Sequence, residues 1–278
     1  MGRSGTTILQ QLCNAHAQMR VTDEFGNYAF LGDTFPRYAA RTTARIHTIG
    51  GRWRIVGPPG FLSSRLPHDI RLRSRNHVVN VRVCADHLLR LARRRPDRVA
   101  LDDLVEVDGR GSRQIRIVGD KFPSYALMLD RLVPLRQLLR LVIYRDCRDV
   151  TSSFLRKVRT DWKRQGWTRY VDTAEKVARR WVRAIEDLEK HAAELYVIRY
   201  EELVADPRSV LDRLARWLEV EPEGFESGMV SASSVGKHTQ GLTTRELDDV
   251  LRVAGPTMNR LNYFQSGAEG PEPGMSFS

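Results

Sequence analysis

Apolar residues recur at helical spacing near the start of the chain, where Ile8, Leu9, Leu12 and Ala15 share one face between Thr6 and Met19. The residues just before them, Gly2-Arg3-Ser4-Gly5, are small and polar, so a loop opening into a helix is predicted. Three short runs read differently. Gln114 to Val118, Leu138 to Tyr144 and Leu195 to Arg199 are β-branched or leucine-rich and flanked by polar residues, which predicts buried strands. Helical patterns lie between them: Leu127 to Leu135, Asp149 to Val158, and a longer one carrying Ala174, Val177, Ala178, Trp181, Val182, Ile185 and Leu188. Asp206-Pro207 supplies an N-cap and a pre-set first helical residue, and Val210, Leu211, Leu214, Trp217 and Leu218 then form one apolar stripe, read as core. Strands alternating with helices predict an α/β fold, a parallel sheet flanked by helices. Residues 37 to 108 carry little readable pattern, and no internal repeat is found.

A chain of 278 residues with 41% hydrophobic content can bury one large core, and a single domain over residues 1–265 is expected, with residues 266–278 as a disordered tail rich in Gly, Pro and Ser. Cys13, Cys84 and Cys147 are odd in number and widely spaced, which supports neither a disulfide framework nor a zinc site and suits a reducing cytoplasm. No apolar run approaches the roughly 20 residues that span a bilayer, and no secretory signal is recognisable. The formal net charge of +11 implies attraction to polyanions, whether nucleic acid, anionic lipid or a charged nucleotide. Part of the excess is local, from Arg65 to Arg98, and reads most simply as a solvated basic face.

Gly2-Arg3-Ser4-Gly5-Thr6-Thr7 contains what an anion cradle needs: glycines that admit close backbone approach, hydroxyls that donate, and a following helix with unpaired N–H groups. A plain helix-capping turn would look the same. The nucleotide-kinase loop is excluded, because no Lys precedes Thr6. A second candidate lies where the strand ending at Tyr144 runs into Arg145-Asp146-Cys147-Arg148-Asp149 and a helix carrying Ser153. Ligands of open α/β sheets bind beyond the carboxyl ends of strands, so Arg145 is placed for a phosphate, the alternative being a structural Arg145–Asp149 ion pair.

Together these segments resemble the sulfotransferases that use 3′-phosphoadenosine 5′-phosphosulfate (PAPS), and in particular a bacterial branch similar to the carbohydrate and tyrosyl-protein enzymes. Arg3-Ser4-Gly5-Thr6-Thr7 resembles the family's 5′-phosphosulfate loop, [KR]-S-G-T-T, and the run from Arg145 to Phe154 its 3′-phosphate motif, R-D-P-R-D-[VA]-x-x-S-[FY], with Cys147 in place of proline. The resemblance implies that Arg3, Ser4, Gly5, Thr6 and Thr7 hold the sulfonated end, and that Arg145 and Ser153 hold the 3′-phosphate. Arg199-Tyr200-Glu201-Glu202-Leu203 resembles the stretch that places an aromatic near adenine, which implies Tyr200 there, against a plain packing role. Ser233-Ser234-Val235-Gly236-Lys237-His238 resembles the late S-x-x-G-[RK]-W loop, implying Gly236 and Lys237 at the 3′-phosphate, with His238 where Trp is common.

Glu24, in a turn similar to the family's glutamate-bearing one, is implied as general base at the mouth of the phosphate loop, with His68 and Asp120 in reserve. Lys121, in a turn similar to E-K-[ST]-P, is implied with Arg3 in stabilising the leaving phosphate. Ordinary surface roles are the alternatives for both Glu24 and Lys121. The implied activity is sulfuryl transfer by in-line displacement from PAPS, with no metal, to a hydroxyl or amine of a small-molecule, carbohydrate or lipid acceptor. A P-loop-type nucleotide phosphotransferase and a basic nucleic-acid-binding protein are the rivals; specific nucleic-acid recognition is not expected, since no recognition motif of the known kinds is found. In the family a buried strand leads into the phosphate loop, whereas here only Met1 precedes Gly2. The first central strand is therefore expected to lie upstream, because losing it would forfeit on the order of 6–15 kcal/mol.

Overall fold

The computed structural model describes residues 2–51, 88–105, 115–163 and 165–264. Gln114, the reserve base His68, Cys84, most of the arginine-rich stretch and the expected tail lie outside the described residues. The architecture is α/β, with small parallel sheets flanked by helices. The chain forms two compact units, one drawn from Thr7–Phe122 and Leu214–Glu226, the other from Met1–Thr6, Pro123–Arg213 and Ser227–Ser278. Among the described residues no helix is long and apolar enough to cross a membrane.

The first unit follows helix α1 (Thr6–Ala15) with strand β1 (Met19–Asp23), then α2 (Phe35–Gly51) and β2 (Ile117–Lys121). The two strands pair in parallel, from Met19 opposite Ile117 to Asp23 opposite Lys121. The helix stops four residues short of Met19, where the apolar pattern had placed its end, and two side chains account for this. His16 is buried and accepts the Gln18 N–H at Nδ1 (3.1 Å), so its Nε2–H donates to the Glu221 carbonyl (2.8 Å). Asn14 clasps β1, donating to the Val21 carbonyl (2.8 Å) and accepting the Val21 N–H (2.7 Å). Strand β1, Met-Arg-Val-Thr-Asp, is too polar to show in the hydrophobic pattern. Helix α2 fell in the unreadable stretch; its Tyr38 is fully buried with Leu91 and Val99, and its hydroxyl donates to Asn27 (3.2 Å).

In the other unit β3 (Leu141–Tyr144) and β4 (Tyr196–Arg199) pair in parallel, Leu141 opposite Tyr196 and Tyr144 opposite Arg199. The longer helices that follow along the chain are α3 (Cys147–Arg159), α4 (Ala174–Lys190), α5 (Pro207–Leu218) and α6 (Thr244–Arg260). Val150, Leu155, Val177, Trp181, Ile185, Val250 and Met258 from α3, α4 and α6 make one core with Tyr144. Each side chain so buried contributes roughly 1.5–3 kcal/mol. Helix α6, which the sequence pattern did not single out, starts at a reciprocal Thr243/Glu246 capping box. The helix expected over Leu127 to Leu135 is a 3₁₀ turn and a single α turn, Leu129–Leu132. Pro134 cannot extend it, and the Arg140 guanidinium collects the freed carbonyls of Leu132 (3.0 Å), Val133 (2.7 Å) and Leu135 (2.7 Å).

Asn14→Ala removes the clasp on β1 and leaves the Val21 N–H without that acceptor. Stability is expected to fall by about 2–4 kcal/mol. Urea unfolding monitored by circular dichroism measures it, and a loss below about 0.5 kcal/mol would refute the clasp as a stabilising feature.

Candidate anion-binding site

The opening turn is tightly specified by its backbone. Arg3 and Gly5 both have positive φ, 62° and 90°. A Cβ on Gly5 would stand 2.4 Å from Cδ2 of Tyr200 and 3.2 Å from Cδ1 of Ile143, so only glycine fits between this turn and the tyrosine ring. Ser4 is fully buried, and its Oγ has no hydrogen-bond partner among the described residues. Arg3 Nε donates to Ser153 Oγ (2.8 Å), which brings the opening turn to the middle of α3. Thr6 begins α1 and Thr7 is exposed.

Arg145 follows the carboxyl end of β3 and is buried. Its Nη2 donates to Asp149 Oδ2 (2.8 Å) and to the Ser234 carbonyl, and its guanidinium lies 4.7 Å from the Tyr200 ring centre. Its own carbonyl accepts the Trp181 indole N–H (2.8 Å). The Arg145–Asp149 ion pair read as the alternative therefore exists. It leaves the guanidinium Nε buried and without a hydrogen-bond partner among the described residues. Tyr200 is itself buried between these neighbours, so it packs Gly5 and Arg145 together.

Asp149 carries the heaviest load of hydrogen bonds here. Its side chain is 2% exposed, yet it accepts from Arg145, from the Gly236 N–H (2.9 Å), and from both the backbone N–H and the Nδ1 of His238 (2.9 Å each). Burial pushes its carboxyl up, and the bonds from Arg145 and His238 outweigh this and hold it below the usual carboxylate range. The late loop is thereby fixed to α3, with Gly236 at φ 75° and Lys237 exposed beside it.

A separate polar group forms at the carboxyl ends of β1 and β2. Lys121 Nζ lies 2.5 Å from Asp23 Oδ1 and 2.9 Å from Glu24 Oε1. Burial pulls the ammonium down, and the two carboxylates together raise it above the ordinary lysine value. Glu24 has φ 61° and its carboxylate is half exposed. The Asp120 carboxylate is occupied in holding the turn, accepting the Thr22 hydroxyl (2.6 Å) and the N–H groups of Phe25 (3.3 Å), Gly26 (2.8 Å) and Asn27 (3.3 Å). As a reserve base it has little left to offer.

Three residues of this candidate arrangement are not singled out by the sequence. Trp181 counted only as core, Asp149 only as an ion-pair partner, and His238 only as a departure from a motif. Their signal was a polar atom inside an otherwise apolar or motif-bound segment.

Comparison with family models matches residues 1–224 to the sulfotransferase family. No curated protein matches the chain. Among solved structures, a sulfotransferase domain from the curacin biosynthetic pathway is 14% identical over 97% of this chain and 96% of its own, with a TM-score of 0.48. A sulfotransferase domain from a Synechococcus olefin synthase is 18% identical over 97% and 87%, TM-score 0.42. A sulfotransferase from Mycobacterium avium is 15% identical over 98% and 76%, TM-score 0.45.

Since the folded carboxyl of Asp149 titrates below its unfolded value, its contribution to stability is complete above the unfolded carboxylate range, near pH 4, and is lost as pH falls through the folded value beneath it. Asp149→Asn should therefore cost about 3–5 kcal/mol at neutral pH and flatten the acid limb of the stability profile. Urea midpoints of both proteins from pH 7 to pH 3 test this; parallel profiles would sink it.

Proposed function

Because the chain belongs to the sulfotransferase family, we propose that it transfers a sulfuryl group from PAPS to a hydroxyl or amine of a small-molecule, carbohydrate or lipid acceptor. The observation that supports this best is the shared ring of Tyr200, against which both Gly5 of the opening turn and the Arg145 guanidinium pack. Two anion-binding elements so joined suit a nucleotide charged at both ends. The residues present also fit such a ligand: Ser4 Oγ and Arg145 Nε are buried polar atoms that no protein group satisfies among the described residues.

PAPS supplies the sulfuryl group and leaves as adenosine 3′,5′-bisphosphate when the acceptor displaces it in line. In this proposal the turn from Arg3 to Thr7 grips the 5′-phosphosulfate through backbone N–H groups and the hydroxyls of Ser4, Thr6 and Thr7. Arg3 offsets charge that builds on the departing phosphate. Arg145, Ser153, Gly236 and Lys237 hold the 3′-phosphate, and Tyr200 keeps the two elements aligned. Glu24 accepts the acceptor's proton, and Lys121, its ion-pair partner, adds positive charge for the leaving group. A cytosolic location belongs to the same proposal, supported by the buried, unpaired thiols of Cys13 and Cys147.

Calorimetric titration is expected to show adenosine 3′,5′-bisphosphate binding far more tightly than ATP, without added Mg²⁺. Arg145→Ala should weaken it by about 10–100-fold. Equal affinity for the two nucleotides would favour the phosphotransferase reading. Glu24→Gln should lower turnover about 10²–10⁴-fold with nucleotide affinity unchanged; normal turnover in that variant would move the base to His68.

A further inference from the structure

The late loop meets α3 through a residue that the resembled motif does not supply. His238 stands where that motif commonly has tryptophan, and it places a ring N–H on a buried carboxylate. Asp149 divides its two oxygens between two tasks. Oδ2 accepts from Arg145 Nη2 at 2.8 Å and from the Gly236 N–H at 2.9 Å. Among the described residues Oδ1 accepts only from His238, through the backbone N–H and Nδ1, both at 2.9 Å. With Asp149 ionised, Nδ1 must be the donor.

Charge-assisted bonds of this kind are short and directional, so the imidazole fixes the rotation of the carboxylate about its own axis. That rotation fixes Arg145 Nη2, and Nη2 in a planar guanidinium fixes where Nε points. Nε is the atom left buried and without a protein partner. Without the imidazole, Oδ1 loses one of its two donors, and the carboxylate can turn to take more of Arg145.

We propose that His238 is a positioning residue that sets the preference for a nucleotide bearing a 3′-phosphate, acting through Asp149 on the Arg145 guanidinium. The proposal rests on the donor assignment made above. It predicts an effect confined to one end of the ligand, which a purely structural role does not produce.

The test compares dissociation constants for adenosine 3′,5′-bisphosphate and adenosine 5′-monophosphate on the full chain, by calorimetry. In His238→Ala the preference for the bisphosphate should shrink about tenfold, with the monophosphate constant unchanged within about twofold. In His238→Asn, whose amide N–H falls near the position of Nδ1, the preference should stay within about threefold of the parent. An unchanged preference in a folded His238→Ala protein overturns the proposal, and so does equal weakening of both nucleotides. Should His238→Ala fail to fold, His238→Asn against His238→Gln decides. The longer side chain carries its donor past the carboxylate, so loss of preference in Gln alone supports the proposal and equal preference in both overturns it. A parent protein with no preference for the bisphosphate defeats the donor assignment itself, whereas a parent preference that survives His238→Ala defeats only the role of His238.

Discussion

A carboxylate taken out of water costs several kcal/mol unless donors surround it, and Asp149 meets that demand by recruiting two segments far apart in the chain. Arg145 arrives from the end of β3, and Gly236 and His238 arrive from the loop before α6. Neither segment can move without leaving a buried charge short of partners. The strand end and the late loop are therefore held in one arrangement before any ligand binds. For the proposed anion site this is preorganisation: the ordering cost falls on folding, and binding keeps more of its contact energy.

The opening turn is tied to the same arrangement by two contacts of different character. Gly5 packs against the Tyr200 ring at a distance that no side chain allows, and Arg3 reaches Ser153 by hydrogen bond. Arg145 lies over the same ring, so a shift of the turn is felt at the guanidinium through one rigid aromatic. The carboxyl ends of β1 and β2 make their own group by register. Asp23 and Lys121 are cross-strand partners in the parallel pair, and Glu24 follows immediately in a left-handed conformation. Parallel strands thus deliver charged side chains together at one end, where α/β proteins place their chemistry.

How much of this the sequence disclosed depended on whether a residue's role was local. Helices α3 and α4 were legible because burial on one face repeats every three or four residues, and β3 and β4 because short apolar runs stand out from polar flanks. The polar strand β1 was hidden, since its pairing with β2 and its clasp by Asn14 do not depend on apolar side chains. The Leu127 to Leu135 stretch had helical spacing, and the tertiary reach of Arg140 and the block at Pro134 overrode it. At the candidate site, the turn and the Arg145 segment could be found by their residue types. That Asp149 serves His238 as well as Arg145 could not, because the partners are 89 positions apart.

At Cys147, where the resembled motif carries proline, the turn into α3 is held without that residue. Proline there would pre-set the first residue of α3, and a looser turn is the natural expectation once it is replaced. Instead the turn is held from all sides. Asp146 caps the helix by accepting the Arg148 N–H (2.8 Å), and the Arg148 side chain closes back on the same carboxylate. The Asp146 N–H donates to the partly buried Glu201 (3.0 Å), whose other oxygen accepts the Tyr263 hydroxyl (3.2 Å). Trp181 secures the Arg145 carbonyl one residue earlier. Cys147 itself is fully buried, with its thiol pushed up by burial, so it serves as a small apolar filler rather than as a nucleophile. The rigidity that proline would bring through one ring is distributed over hydrogen bonds to Trp181 of α4, to Glu201 in the helical turn after β4 and, through Glu201, to Tyr263 beyond α6, and the aim of Arg145 depends on all of them.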